Sequence, residues 1–376
     1  MQPAGQSSRA DAAEVLFVGT RGGLEERLLK NERLAYAAVD SRPMSRASVG
    51  AAAGGAAANV RGMAQALPLL KRFKPDVVIA TGGYASVPTV FAAAMLRSTG
   101  SARGLKIALL EPNVAPGRAN RVLAKLADEV WGAYDATAAF FPGKFVKTGI
   151  PVRPELYRLP SRDAASKRLG IDPAARTILV FGGSQGARAI NVAASSMTAR
   201  RRLPKDWQIL HAAGKRDFEW MAAERKAESN PNRYVLVEYL EDMAAAYAAA
   251  DVAVCRSGAS TLAELAVVGL PAVLIPYPHA TDDHQRVNAD VFAAAGAAIA
   301  LDNAKLDADS LYWTLNEVLA PQRLAAMRSA ALSLAQPRAL HAIVERILSH
   351  QIGASSSVET AAGRSAQRRG RDKRRT

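Results

Sequence analysis

A chain of 376 residues, 49% hydrophobic and 22% charged, with a mean hydropathy of −0.03, is too long for one ordinary core and suits two globular domains; it excludes a disordered protein. The single cysteine, Cys255, excludes an internal disulfide framework and a multi-cysteine metal site, and points to a reducing compartment. The net charge of +15 calls for an anionic partner, and because no aromatic platform accompanies the basic residues, an anionic lipid surface is expected and nucleic acid is not.

Residues 1–14 are polar and acidic where the apolar core of a secretion signal would lie. Every later apolar run is broken by Gly, Pro or charge well before the length needed to cross a bilayer. Short β-branched runs then alternate with helical stretches, the pattern of parallel βαβ units. Strands are expected at 14–18, 77–80, 106–110, 129–131 and 144–147 in the first half, and at 177–181, 207–211, 234–237, 252–255, 272–275 and 298–300 in the second. Residues 60–75 carry apolar side chains at 60, 63, 67 and 70 and end in Lys71-Arg72-Phe73-Lys74. That is a stripe with a basic rim suited to a lipid interface; the alternative is a core-facing helix, and Pro68 argues against a continuous one. The proline-flanked segment Gly149-Ile150-Pro151-Val152-Arg153-Pro154 reads as a linker. The expected layout is therefore a Rossmann-like domain over 1–150, a second over 151–335, a C-terminal helix over 336–353 returning to the first domain, and a tail over 354–376. That tail carries +5 of the charge and too few apolar residues to order itself.

Both halves run a strand into a double-glycine turn, Thr81-Gly82-Gly83-Tyr84 and Phe181-Gly182-Gly183-Ser184, so two Rossmann-like domains facing a cleft are expected. The second turn continues as Gln185-Gly186-Ala187-Arg188, an order that lets backbone amides approach an anion with Ser184 and Gln185 projecting beside it. A nicotinamide cofactor is disfavoured, because that reading wants Gly-x-Gly-x-x-Gly with an acid about twenty residues on, and here the region is Arg200-Arg201-Arg202-Leu203-Pro204-Lys205-Asp206. A third signal is Cys255-Arg256-Ser257-Gly258-Ala259-Ser260-Thr261-Leu262-Ala263-Glu264, followed by His284-Gln285-Arg286-Val287-Asn288. Amides and hydroxyls at a helix N-terminus would face a diphosphate, and Glu264, one turn in, could accept two hydrogen bonds from a ribose diol. The plainer alternative is that Ser257 or Ser260 caps the helix and Glu264 is a solvated first-turn acid.

Taken in order, 17–20, 81–86, 111–117, 149–153, 182–187, 242–243, 256–264 and 284–285 resemble the MurG glycosyltransferases of peptidoglycan synthesis, from about residue 14 to 350. The resemblance implies an α/β GT-B fold with the donor site mostly in the C-terminal domain. It also implies inverting transfer of N-acetylglucosamine from UDP-N-acetylglucosamine to lipid I, giving lipid II, with no bound metal or other cofactor. In that family's terms Glu264 would hold the ribose, and Leu240 would touch the uracil. Ser184, Ser260 and Thr261, with the Ala259, Leu262 and Ala263 backbone around them, would face the diphosphate, assisted by Arg153. Gln185, Gln285 and Asn113 would complete the donor contacts, Gly82, Gly83 and Tyr84 would stand on the acceptor side, and Glu111 would be the candidate base.

Two departures accompany the resemblance. The family's N-terminal glycine-rich loop with its histidine has no counterpart in 1–13, and Leu110-Glu111-Pro112-Asn113 stands where the family has His-Glu-Gln-Asn. A misplaced start, a divergent enzyme and a degenerate paralogue each account for the first. The resemblance places the protein at the cytoplasmic face of the bacterial cell membrane, in cell-wall biogenesis with its bearing on cell shape and division, beside other cell-wall synthesis proteins. The alternatives are another UDP-sugar enzyme of this shape, such as an epimerase, and a UDP-sugar-binding scaffold without turnover.

Overall fold

The computed structural model describes residues 13–23, 25, 26, 29, 34–43, 49–183, 186–200, 203–225 and 233–349. Contacts divide these into two compact units, one made of the described residues up to Leu110, Arg118–Val130 and those from Arg346 onward, the other of Glu111–Gly117 and Trp131–Glu345. The tail expected over 354–376 lies outside the described residues.

In the first unit, β1 (Leu16–Thr20) and β2 (Ala35–Val39) pair in parallel, followed by helix α1 (Val49–Phe73). Strand β3 (Val77–Ala80) pairs in parallel with β4 (Lys106–Glu111), with α2 (Ser86–Ser98) between them. Helix α3 (Arg118–Leu123) leads to β5 (Glu129–Gly132), the neighbour of β4 on its other side. Strand β2 was not expected: Ala35-Tyr36-Ala37-Ala38-Val39 has little β-branched character to mark it. Helix α1 runs straight through Pro68, whose exposed side carries the lost hydrogen bond to Ala64. Its buried stripe is Ala58, Gly62, Ala66 and Leu70, packed on α2. Of the residues expected to form one outward stripe, Val60 is exposed, Met63 and Leu67 are half-buried and Leu70 is in the core, so 60, 63, 67 and 70 do not share one outward face.

The second unit opens with Glu111–Gly117 and the end of β5, which neighbours β6 (Phe145–Lys147). Helix α4 (Arg162–Leu169) is capped by the Ser161 hydroxyl, which accepts from Ala164 N at 3.3 Å, and stops at Gly170. The chain then alternates β7 (Arg176–Phe181), α5 (Arg188–Arg200), β8 (Trp207–Ala212), α6 (Phe218–Arg225), β9 (Tyr234–Val237), α7 (Met243–Ala249) and β10 (Val252–Cys255). It continues through α8 (Ala259–Val268), β11 (Ala272–Leu274), α9 (His284–Ala294), β12 (Ala298–Ala300), α10 (Ala308–Val318), α11 (Pro321–Ser333) and α12 (339–349).

Six parallel strands stand in the order β12-β11-β10-β7-β8-β9, the doubly wound order in which the chain reverses direction between β7 and β10. Both faces are apolar, as a parallel sheet covered on two sides requires. Leu179, Phe181, Ala253, Cys255 and Leu274 point into one core with Leu262 and Phe292; Ile178, Val180, Val252, Val254 and Val273 point into the other with Ile190 and Leu315. Each such Val, Leu, Ile or Phe side chain stabilises by roughly 1.5–3 kcal/mol on burial.

The division expected at residue 150 is not where the contacts change. Residues 111–117 and 131–149 go with the second unit because they are tied to it: Asn288 Nδ2 donates to Asn113 Oδ1 at 3.0 Å, and Gln336 Nε2 donates to Ala133 O at 2.6 Å. The first unit in turn recovers the chain at Arg346 of α12, whose guanidinium pairs with Glu129.

Candidate functional site

Strands β7 and β10 end level, with Cys255 opposite Phe181, so the two loops that follow them start side by side at the reversal point of the sheet. Ligands of doubly wound sheets sit at that place. In this unit it holds a cavity of about 460 Å³, walled by Gly182, Gly183 and Gly186 after β7, by Arg256, Gly258 and Thr261 after β10, and by Tyr277, His279, Gln285 and Asn303.

The glycine loop is dictated by close approach. A Cβ on Gly182 would lie 2.3 Å from Ala187 N, and one on Gly186, whose φ is +73°, would lie 2.2 Å from Ala213 O. The loop thus folds back against both its own end and the exit of β8. Ser184 and Gln185, expected to face the donor, lie outside the described residues.

After β10, α8 begins at Gly258, which has an extended backbone and offers no side-chain cap. The alternative that Ser257 caps this helix is not what the structure has: Ser257 is fully buried and its hydroxyl donates to Gln285 O at 2.7 Å. The first amides of α8 therefore have no capping side chain, and the partial positive charge of the helix end faces the cavity with Thr261 on its wall. Ser260 is exposed and outside the wall; Ala259 and Leu262 are core residues, and Ala263 lines a separate small void with Tyr134 and Phe292, so these three can offer a ligand only backbone.

Glu264 stands one turn beyond Thr261, outside the cavity wall and mostly buried, its side chain 18% exposed. Its Oε2 accepts from the Tyr247 hydroxyl at 2.7 Å and its Oε1 from Arg153 Nη2 at 3.3 Å. It is not a solvated first-turn acid. Burial first, and then the adjacent Glu264 charge, raise the Tyr247 hydroxyl well above the usual tyrosine value, so it donates at any physiological pH. Arg153 also pairs with Glu155 at 3.7 Å; the structure places its guanidinium between carboxylates. Leu240 lies in the apolar core on the Glu264 side of the sheet.

Gln285 reaches the cavity from the start of α9, its Oε1 accepting from Tyr277 N at 3.0 Å. Next to it a buried chain of amides runs inward: Asn288 Nδ2 donates to Ser257 O at 3.3 Å and to Asn113 Oδ1 at 3.0 Å, and Asn288 Oδ1 accepts from Val114 N at 3.0 Å. Asn113 is thereby fixed, and Glu111, only 1% exposed, holds the turn behind it. Glu111 Oε1 accepts from Asn113 N at 3.0 Å and Nδ2 at 3.1 Å, and Oε2 from Gly117 N at 3.1 Å. Three donors converge on the group expected to be a base. Gly82, Gly83 and the exposed Tyr84 belong to the first unit, between β3 and α2.

Sequence reasoning missed the cavity's dominant charge. Arg188, Arg216 and Arg256 all line it. Arg256 is anchored by Ile275 O, Pro276 O and Asn303 Oδ1, at 3.1, 3.1 and 2.8 Å, and burial lowers its guanidinium from the usual value without discharging it. The available signal was that the three arginines stand in the loops or at the helix start that follow β7, β8 and β10, and a strand's C-terminal end is the ligand side. Cys255 is fully buried, and burial pushes its thiol up, so it is a packing residue.

Comparison with known proteins gives this geometry a lineage. Residues 7–131 match the glycosyltransferase family 28 N-terminal domain and residues 177–343 its C-terminal domain. A UDP-N-acetylglucosamine–N-acetylmuramyl-(pentapeptide) pyrophosphoryl-undecaprenol N-acetylglucosamine transferase of Desulforudis audaxviator is 35% identical over 350 residues, 91% of this chain and 92% of that one. The enzyme of the same description from Moorella thermoacetica is 36% identical over 89% of this chain and 90% of its own. Among solved structures, MurG of Acinetobacter baumannii superposes with a TM-score of 0.69 at 28% identity, covering 89% of this chain and 91% of that one. A UDP-GlcNAc 2-epimerase from Neisseria meningitidis reaches a TM-score of 0.56 at 13% identity, a likeness of fold alone. The two-unit α/β fold is of the GT-B kind, and the chain belongs to glycosyltransferase family 28, among the MurG transferases.

Proposed function

We propose that this chain is an inverting hexosyltransferase that moves N-acetylglucosamine from UDP-N-acetylglucosamine to lipid I, forming lipid II in peptidoglycan synthesis. The observation that carries the reading is the cavity at the β7/β10 reversal, where three arginines and the uncapped end of α8 surround a space of about 460 Å³. Departure of UDP places negative charge on a diphosphate, and guanidiniums, those of Arg188 and Arg256 anchored, together with helix amides in a partly enclosed site stabilise that charge as it develops. A metal ion is not needed for this step, and none is proposed. Glu264, held between Tyr247 and Arg153, is the proposed ribose contact, and Gln285 with the fixed Asn113 the proposed sugar contacts. The epimerase alternative has only a fold likeness behind it, whereas relatives at a third identity over nine-tenths of the chain are transferases.

The proposed site of action is the inner face of the cell membrane. No helix among the described residues is long and apolar enough to cross it. Support for peripheral contact is the net charge of +15 and the exposed apolar side chains of the first unit, Val60 on α1 with Phe91 and Met95 one turn apart on α2. The test is purified full-length protein with radiolabelled UDP-N-acetylglucosamine and lipid I in vesicles, with and without a chelator. Label in the lipid under both conditions is the expected result; UDP-sugar binding with no label transfer would leave a scaffold and sink the reading.

A further inference from the structure

A buried polar chain with no part in the roles assigned above ends at the cavity. His211 is fully buried at the end of β8, its Nδ1 2.5 Å from the Tyr234 hydroxyl and its Nε2 3.0 Å from Asn191 Oδ1. Asn191, also fully buried, spends both Nδ2 protons, on Ala213 O and on Asp217 Oδ2, each at 2.8 Å. Its Oδ1 must therefore accept, which places the His211 proton on Nε2 and makes the Tyr234 hydroxyl the donor to Nδ1. Every orientation along the chain is fixed by this logic. It terminates at Asp217, 3% exposed, whose Oδ1 accepts from Arg188 Nη1 at 2.9 Å. Arg188 itself is 57% exposed, lies 4.3 Å over the Trp220 ring and lines the cavity.

An exposed arginine normally samples many rotamers, and holding it still costs side-chain entropy that a ligand would otherwise have to supply. Here one edge of the guanidinium is fastened to a buried carboxylate and one face to an indole, leaving further N–H donors for the cavity.

We propose that Arg188 is a binding residue for the diphosphate of the donor, and that Asp217, itself fixed by Asn191 and His211, is the positioning residue that presents it. The inference rests on the donor-site reading given above. Arg188 then meets the diphosphate already aimed, and Asp217 acts only through it.

The experiment is calorimetric titration of the full-length protein with UDP and with uridine. Arg188→Ala is expected to weaken UDP about tenfold or more and to change uridine by less than about twofold, because the lost contact is to phosphate. Asp217→Asn is expected to weaken UDP by several-fold, and the double variant to bind no worse than Arg188→Ala alone, a coupling that a merely structural role for Asp217 would not produce. If Asp217→Asn does not fold, Arg188→Lys replaces it: a single nitrogen on a shorter side chain lacks the planar fork that meets Asp217 with one N–H and keeps others aimed at the cavity, so several-fold weaker UDP binding is expected. Wild-type protein binding UDP while Arg188→Ala binds it within twofold, additive single effects, or a fully competent Arg188→Lys would each overturn the inference and leave the donor site standing. Wild-type protein that binds no UDP would bring down both.

Discussion

Glu264 offers a ribose diol a carboxylate already committed to Tyr247 and Arg153, so its two oxygens hold still and only their remaining lone pairs are free to accept. Replacing it with alanine leaves the buried Tyr247 hydroxyl without its acceptor and removes the proposed ribose contact. Glu264→Ala is expected to weaken UDP-N-acetylglucosamine by tenfold or more, about 1.5–3 kcal/mol, and unchanged affinity in calorimetry would remove it from the site. Asp217 gives a pH signature. Burial acts to raise its carboxyl, but hydrogen bonds from Arg188 and Asn191 outweigh that and hold it below the ordinary 3.8. A group lowered in the folded state contributes stability that is complete above the unfolded value and lost as pH falls through the folded one. The difference in melting temperature between wild type and Asp217→Asn is therefore expected to be constant near neutrality and to shrink below about pH 3.8; a gap unaltered down to pH 2 would contradict the ion pair. None of these pairings was legible in the sequence. Asn113 and Asn288 are 175 positions apart, and nothing local in either stretch marks the other.

At the scale of elements, the strands of the second unit were read closely because each is a short run buried on both faces, ended by glycine or a polar turn. The loops of the site were read for the same reason, since glycine is needed where backbone meets backbone. Gly186→Ala tests that directly: a side chain at φ +73° and against Ala213 O should cost about 2–4 kcal/mol in urea unfolding, and a loss under about 0.5 would mean the loop is not packed as described. The arginines were not read as a group, because their meeting depends on β8 and β10 taking opposite sides of β7, which no local pattern encodes. Helix α1 starts well before residue 60, where the apolar spacing begins, because its first turns are alanine and glycine with no apolar period, and it continues past Pro68 because that residue sits on the exposed side.

For the whole molecule, charge and composition predicted an anionic surface as partner, and the same balance sets a salt-dependent expectation. Sedimentation with vesicles rich in anionic lipid should carry the protein down at low ionic strength and lose most of it as salt rises toward 0.5 M, because screening shortens the reach of surface charge to a few ångströms. Binding to neutral vesicles that ignores salt would assign the attraction to apolar contact instead. Two parallel-sheet domains were legible from alternation alone; where one stops was not, because the boundary follows contacts such as Gln336 to Ala133 that close long after the local sequence has been passed.

The amino-terminal unit is interrupted: it gives the chain away at Leu110, has it back for Arg118–Val130, and collects its last helical turn only from Arg346. During translation at ribosomal speed Arg346 emerges roughly ten seconds or more after Glu129, with which it pairs, once the inserted unit has been made. An early nascent chain must wait without that ion pair and the helical turn that brings it, so ribosome stalling or proteolytic nicking within the inserted unit would strand a half-finished neighbour as well as the segment that was cut.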